Sequence, residues 1–133
     1  MPTPGYPRSI RGVEKEATVL IVDDHPSFRA FARKLLEASG LRVVEAKDGD
    51  AAIENAARLH PDLVLLDIQL PGIDGFEVAR RLAANGRSSP VVFISSREAA
   101  DYGGRVEASG AAGFISKAEL SASALARFLE VSR

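Results

Sequence analysis

The sequence contains no cysteine. That excludes disulfides, thiol nucleophiles and cysteine-ligated zinc or iron–sulfur centres. With only two histidines, a histidine-rich metal site is excluded as well. No apolar run approaches the roughly 18 residues that a membrane span needs. The N-terminus lacks the apolar stretch of a signal peptide. An excess of charge of one sign is also missing: 17 basic and 18 acidic residues give a net charge of -1. There is therefore no global basic field to hold nucleic acid, and no acidic tail. Neither a G-x-G-x-x-G nor a P-loop follows the first apolar run, which argues against nucleotide binding. What remains is an ordinary globular composition, 46% hydrophobic and 26% charged. The 133 residues suffice for one self-sufficient core. The expectation is a soluble, cytoplasmic, single-domain protein with no membrane segment and no direct nucleic-acid contact.

Residues 1–17, MPTPGYPRSIRGVEKEA, hold three of the seven prolines and no usable period. They read as a mobile arm, and 18–133 as the folded domain. From Thr18 the pattern is regular. Thr18 to Val22, Leu41 to Ala46, Leu63 to Leu66, Val91 to Ile94 and Gly113 to Ile115 are short, β-branched or apolar runs. Such runs predict strands buried on both faces. Between them lie helical periods. Pro26 opens the first, with Phe28, Phe31, Ala32, Leu35 and Leu36 inward and Gly40 at its end. Asp48 caps the second, with Ala52, Ile53, Ala56 and Ala57 inward, and Pro61 closes it. The third runs from Phe76 to Ala84, with Val78, Ala79 and Leu82 inward. A weaker fourth spans roughly Glu98 to Ser109, and a fifth runs from about Glu119 to Val131 on Leu125, Phe128 and Leu129. Five strands alternating with five helices predict an α/β, doubly wound sheet of parallel strands.

Four of the strands end in polar residues: Asp23-Asp24, Asp67, Ser95 and Lys117. In an open α/β sheet, ligands bind just outside the carboxyl ends of the strands, so these residues would converge on one pocket. Three carboxylates held together repel unless a cation intervenes. Hard oxygen donors suit Mg2+. A lysine offers a compact positive charge and a serine a hydroxyl donor, both useful to a phosphoryl group. The set suits phosphoryl transfer, with an aspartate able to act as nucleophile and form an aspartyl-phosphate.

The segments VLIVDDHPSFR (Val19 to Arg29), DLVLLDIQLPGIDGFE (Asp62 to Glu77), PVVFISS (Pro90 to Ser96) and GAAGFISK (Gly110 to Lys117) carry a resemblance. In order and spacing the chain resembles the receiver domain of two-component response regulators, over about Thr18 to Val131. GAAGFISKAEL is closest to receivers attached to helix-turn-helix output domains. The resemblance implies a flavodoxin-like five-stranded sheet in the order 2-1-3-4-5. It implies that Asp67 is the phosphoacceptor, and that Asp24 and Asp67 bind Mg2+ directly, Asp23 mainly through water, with the Gln69 carbonyl completing the protein ligands. Ser95 would be the switch hydroxyl, Lys117 would pair with the phosphoryl oxygens, and Phe114 would be the switch aromatic. Pro71 and Gly75 match the loop after the phosphoacceptor, and Gln69 and Arg97 would flank the path of the attacking water. The partners implied are a sensor histidine kinase or phosphotransfer protein, and a homodimer or partner contact through the last two helices and fifth strand. Such a protein phosphorylates and dephosphorylates itself with Mg2+ but is not otherwise an enzyme.

Each residue alone has a plainer role. Asp23-Asp24 can cap a helix, Asp67 can serve a turn, Ser95 can bond backbone, Lys117 can be a surface charge and Phe114 core. His25 and His60 read as structural or surface residues. The rival readings for the whole are a receiver-like binding module that is never phosphorylated and a Mg2+-dependent phosphatase with an aspartyl nucleophile, although no cap domain or second acid–base carboxyl is visible for the latter. Two departures from the family pattern stand out. Ala118 replaces the proline that commonly follows the lysine with a cis peptide, leaving a trans or strained bond open. Phe114 lacks the hydroxyl of the commoner tyrosine. Two glycines, Gly103-Gly104, weaken the fourth helix by about 2 kcal/mol, so it is expected to be short or mobile; the plainer reading is a tolerated short helix with Tyr102 as surface cover.

Overall fold

The computed structural model describes residues 17–85 and 89–132. Five parallel strands, β1 (Thr18–Val22), β2 (Arg42–Ala46), β3 (Leu63–Asp67), β4 (Val91–Ser95) and β5 (Gly113–Ser116), form one sheet in the order β2-β1-β3-β4-β5. The helices are α1 (Pro26–Glu37), α2 (Gly49–Leu59), α3 (Gly75–Ala84), α4 (Arg105–Ala108) and α5 (Ala122–Ser132). The flavodoxin-like order is as expected. Residues 1–16 of the expected arm lie outside the described residues. Ala17, just before β1, is buried, and its carbonyl accepts the Arg42 N–H at 2.9 Å. Among the described residues no helix is long and apolar enough to cross a membrane.

The apolar runs follow from having helices on both faces, which leaves no solvent side for a strand. Side chains alternate between the two layers. Val19, Ile21, Leu63, Leu65, Val92 and Ile94 face one core with Leu36, Leu125 and Phe128. Leu20, Val22, Val64, Leu66, Val91 and Phe93 face the other with Val78, Leu82 and Val106. Val64, Leu65 and Leu66 are fully buried, so truncating either leucine to alanine costs about 3 kcal/mol.

Capping follows the expected chemistry in part. Asp48 accepts the Ala51 N–H at 2.9 Å and Asp74 the Glu77 N–H at 3.0 Å. Pro26 is the first residue of α1. The second helix, however, is ended by His60 in the left-handed conformation, φ 50°, before Pro61 is reached. Two residues expected inward are not: Phe31 is 53% exposed and Ala57 is also exposed, because each lies at the margin of its apolar stripe.

The fourth and fifth helices differ from the sequence reading. The segment read as a weak helix over roughly Glu98 to Ser109 is a 3-10 turn (Ala99–Tyr102) followed by the four-residue α4, short as the two glycines predict. Gly103 breaks it with φ 62°, a conformation that ends a helix. The stretch after β5 is a 3-10 turn (Lys117–Glu119), and α5 starts only at Ala122, where the Ser121 hydroxyl accepts the Ala124 N–H at 3.0 Å. The Lys117–Ala118 peptide is trans, as are all peptides among the described residues.

The register aligns the strand ends. Val22 is level with Ala46 and Leu66, Asp67 with Ile94, and Ser95 with Ser116. The residues at and just beyond the carboxyl ends of β1, β3, β4 and β5 therefore share one edge of the sheet.

Candidate functional site

That edge gathers the acidic residues. Asp23 follows β1 directly, and its N–H extends the ladder to the Ala46 carbonyl at 3.1 Å. Its side chain is fully buried, while that of Asp24 is half-buried. Asp67, the last residue of β3, is 2% exposed. Asp23, Asp24, His25 and Asp67 each present a ligand atom, all within 4.8 Å of one another.

Lys117 reaches this cluster from the end of β5. Its Nζ lies 2.6 Å from Asp23 Oδ2 and 3.3 Å from Asp67 Oδ2, and 4.5 Å from the centre of the Phe28 ring. The other Asp67 oxygen, Oδ1, accepts the Gln69 N–H at 3.1 Å. Asp23 Oδ1 accepts the His25 N–H at 2.8 Å, and the His25 ring Nδ1 lies 3.0 Å from it and 3.3 Å from Asp24 Oδ1. Arg29 Nη1 donates to the Asp23 carbonyl at 2.6 Å, while its Nε holds Glu45 at 2.8 Å, so the start of α1 is tied to β2 beside the acidic pair.

Electrostatics separate the two buried carboxyls. Burial pushes Asp67 up to about 6, against the pull of Lys117 and the Gln69 N–H, and neighbouring Asp23 adds to the rise. Burial acts on Asp23 in the same sense, but contact with the Lys117 ammonium and the His25 N–H outweighs it and holds that carboxyl below the ordinary range. Burial would lower the Lys117 ammonium, yet Asp23 and Asp67 raise it above its usual value.

The cluster fits a divalent cation. Three carboxylates face one ammonium, which leaves the group negative. Asp24 Oδ1 is buried without a hydrogen bond, and Asp23 Oδ2 meets Lys117 as a close charge contact rather than an aligned hydrogen bond. Carboxylate oxygens not committed to an aligned hydrogen bond are hard ligands of the kind Mg2+ takes.

Ser95 ends β4 and is fully buried. Its Oγ accepts the Arg97 N–H at 3.0 Å and lies 2.6 Å from the Tyr102 hydroxyl. Phe114, half-buried on β5, is level with Phe93, and its ring centre is 6.4 Å from that of Tyr102. Gln69 and Arg97 are both exposed at this edge. Gly75, the first residue of α3, has no room for a side chain: a Cβ there would stand 2.5 Å from the Asp67 carbonyl oxygen and 2.7 Å from Ile68 Cα.

Sequence reasoning missed Tyr102, Arg29 and Glu45. Tyr102 is half-buried, and its hydroxyl partner is the expected switch residue, so surface cover is the wrong description. The available signal was chemical: a tyrosine near a core needs a partner for its hydroxyl. His25, whose side chain is 63% exposed, lies against both acidic residues, in keeping with a structural or surface role. A groove of about 750 Å3 lined by Leu82, Pro90, Val91, Ala112, Arg127 and Phe128 lies at the amino ends of β4 and β5, away from the acidic cluster.

The family model described as "Response regulator receiver domain" matches residues 19–129. The chain belongs to this family. Response regulator receivers are phosphorylation-controlled switches of two-component systems. Fimbriae Z protein of Salmonella typhimurium is 41% identical over 105 residues, covering 77% of this chain and 50% of that protein. The DNA-binding transcriptional activator EvgA of Escherichia coli is 33% identical over 101 residues, covering 75% of this chain and 50% of that protein. The receiver thus spans about half the length of the curated relatives it matches. Among solved structures, the beryllofluoride-activated N-terminal receiver domain of Klebsiella pneumoniae RstA superposes with a TM-score of 0.77 at 34% identity, over 87% of this chain and 98% of that one.

Proposed function

We propose that this receiver is switched by a phosphoryl group accepted on Asp67 from a sensor histidine kinase or a phosphotransfer protein. The observation that carries the reading is the grouping of buried Asp67 with Asp23, Asp24 and Lys117 at the carboxyl edge of the sheet. In the step, an Asp67 carboxylate oxygen bonds to phosphorus and the phosphorus–nitrogen bond of the phosphohistidine breaks. The imidazole leaves with that electron pair and is protonated from solvent. Asp67 must be ionised to attack, and a value of about 6 leaves it mostly charged at neutral pH.

The other residues then have defined work. The Lys117 ammonium pairs with the phosphoryl oxygens, and the Ser95 hydroxyl donates to one of them. Asp23, Asp24, Asp67 and the Gln69 carbonyl would hold Mg2+, which supplies neutralisation of the charge on the transferring group. Ser95 and Phe114 relay the new charge of about -2 to the surface formed by α4, β5 and α5. That surface is where a second copy or an output partner would engage. Hydrolysis of the acyl phosphate resets the switch, and Gln69 and Arg97 tune its lifetime. The chain has no turnover substrate, acts in the cytoplasm and does not itself contact nucleic acid, in keeping with its net charge of -1.

Intact mass after incubation with a small acyl-phosphate donor, with and without Mg2+, tests the reading. One phosphoryl adduct is expected on the wild type with Mg2+, and none on Asp67→Asn. No adduct on folded wild-type protein would overturn it in favour of a phosphorylation-independent binding module.

A further inference from the structure

The Ser95 hydroxyl has one hydrogen and two lone pairs. One lone pair takes the Arg97 N–H at 3.0 Å, and the Tyr102 hydroxyl stands 2.6 Å away. If Ser95 is the donor in that contact, its only hydrogen is spent on Tyr102. If Tyr102 is the donor, the second lone pair of Ser95 is filled and its oxygen is fixed in place. In either case Ser95 cannot turn toward a group on Asp67 without stretching or breaking the contact.

Tyr102 is well anchored for such a role. Its ring packs edge-on to Phe76 at 5.9 Å and tilted to Phe114 at 6.4 Å, and Phe76 in turn meets Phe93 at 5.1 Å. The 3-10 turn that carries it is closed by Glu98 and Asp101, with the Glu98 N–H on Asp101 Oδ2 at 3.0 Å. Immediately after Tyr102 the chain becomes exposed glycine, Gly103 with φ 62° and then Gly104, and α4 begins at the next residue. A rigid aromatic anchor is thus joined to a short helix by two residues that can absorb large backbone rotations. Phe114 has no hydroxyl to offer Ser95, whereas Tyr102 does.

We propose that Tyr102 is a positioning residue for the switch: its hydroxyl holds Ser95 in the unphosphorylated arrangement, and its release passes the phosphoryl signal into the Ala99–Tyr102 turn and α4. This rests on the reading of Asp67 as phosphoacceptor and adds to it the bond that must be exchanged. It also gives the Gly103-Gly104 break a purpose, since the two glycines let the Ala99–Tyr102 turn and α4 reorient when Tyr102 is released.

The test is a double-mutant cycle read by binding of beryllofluoride with Mg2+, followed by calorimetry. Tyr102→Phe keeps the ring among Phe76 and Phe114 and removes only the hydroxyl. Freed from one neutral hydrogen bond, Ser95 should raise the apparent beryllofluoride affinity about five-fold. In a Ser95→Ala background the same Tyr102→Phe change should shift it less than two-fold. The sequence has no tryptophan and two tyrosines, so a Tyr6→Phe protein reports Tyr102 alone by tyrosine emission. That emission should change on adding beryllofluoride, and should not change when Ser95 is alanine. A merely structural Tyr102 would lower the urea midpoint in both backgrounds and leave the affinity unmoved, which would overturn the inference. So would an affinity that falls, or an equal shift in both backgrounds. Wild-type protein that takes no beryllofluoride would overturn the underlying reading and the inference with it.

Discussion

Lys117 sits closer to Asp23 than to Asp67: its ammonium lies 2.6 Å from the first carboxylate and 3.3 Å from the second. Asp67, the proposed phosphoacceptor, is therefore the less neutralised of the two, which is why burial raises its pKa while Asp23 is held low. On the proposed reading, a lysine resting chiefly on Asp23 lies close enough to shift toward new negative charge on Asp67. Its ammonium also lies 4.5 Å from the centre of the Phe28 ring, a contact that adds no competing anion.

Removing the lysine should be costly. In Lys117→Met, fully buried Asp23 and 2%-exposed Asp67 lose the one ammonium they share. Breaking a buried pair from one side costs about 3 kcal/mol. Urea unfolding in EDTA should show that loss, and adding Mg2+ should recover part of it, since a cation among the carboxylates does the same neutralising work. A variant as stable as wild type in EDTA would mean that water already screens the cluster.

Removing the charge of Asp67 should do the reverse. Asp67→Asn keeps the volume and the Gln69 N–H contact at 3.1 Å, and leaves Lys117 with Asp23 at 2.6 Å. What disappears is a buried negative charge beside another. Without Mg2+ at neutral pH the variant should be more stable than wild type by about 2 kcal/mol. Equal or lower stability in paired urea melts would show that the 3.3 Å contact between Lys117 and Asp67 outweighs burial.

The Arg29–Glu45–Arg33 network should give a pH-dependent contribution of its own. Arg33 Nε meets Glu45 at 2.6 Å and Arg29 Nε at 2.8 Å, and these bonds hold the Glu45 carboxyl below its ordinary value of 4.5 despite partial burial. A depressed acid stabilises the fold fully above its unfolded value and loses that contribution as pH falls through its folded value. Glu45→Gln should thus cost about 1 kcal/mol at pH 7, a modest figure because the groups are partly exposed. The gap should close as pH falls below about 4.5. Urea midpoints of both proteins at pH 7, 4.5 and 3.5 test this; a gap that stays constant would mean that the hydrogen bonds, and not the charge, carry it.

How far the sequence could be read depends on the range of the interaction. β3 and β4 are legible because strands covered on both faces have no polar alternation, and a polar residue then marks where cover ends. That is how Asp67, Ser95 and the Asp23-Asp24 pair stood out. Asp48 was legible as a cap because its bond to Ala51 spans three residues. The break at Gly103 was half legible: two glycines weaken a helix, but only the chain's path sets φ at 62°. The Ser95–Tyr102 bond was hidden because it depends on a 3-10 turn placing a side chain seven residues on. The preference of Lys117 for Asp23 over Asp67 is a matter of 0.7 Å across strand ends far apart in sequence, the difference between 3.3 and 2.6 Å. Phe31 shows the opposite limit, since a helical stripe does not say where the core stops, and this ring is 53% exposed.

Gly75 links the packing of α3 to the geometry of Asp67, the proposed phosphoacceptor. Its N–H donates to the Ile68 carbonyl at 2.8 Å, and the two backbones approach so closely that a Cβ would stand 2.5 Å from the Asp67 carbonyl oxygen and 2.7 Å from Ile68 Cα. Both obstacles are main chain, so no rotamer change relieves them. In Gly75→Ala either α3 moves outward or the end of β3 does. Overpacking of this kind costs about 1–3 kcal/mol. It should also move Asp67 relative to Lys117 and the Gln69 N–H, slowing phosphorylation by small acyl-phosphate donors by more than tenfold, since transfer depends on sub-ångström placement of the attacking oxygen. Gly72 provides the control: it lies in the same loop with open space around it but a φ of 74°, so Gly72→Ala strains the backbone locally without pressing on Asp67. A Gly75→Ala protein that loses stability yet phosphorylates as fast as Gly72→Ala would show that the loop yields and the acceptor stays in place.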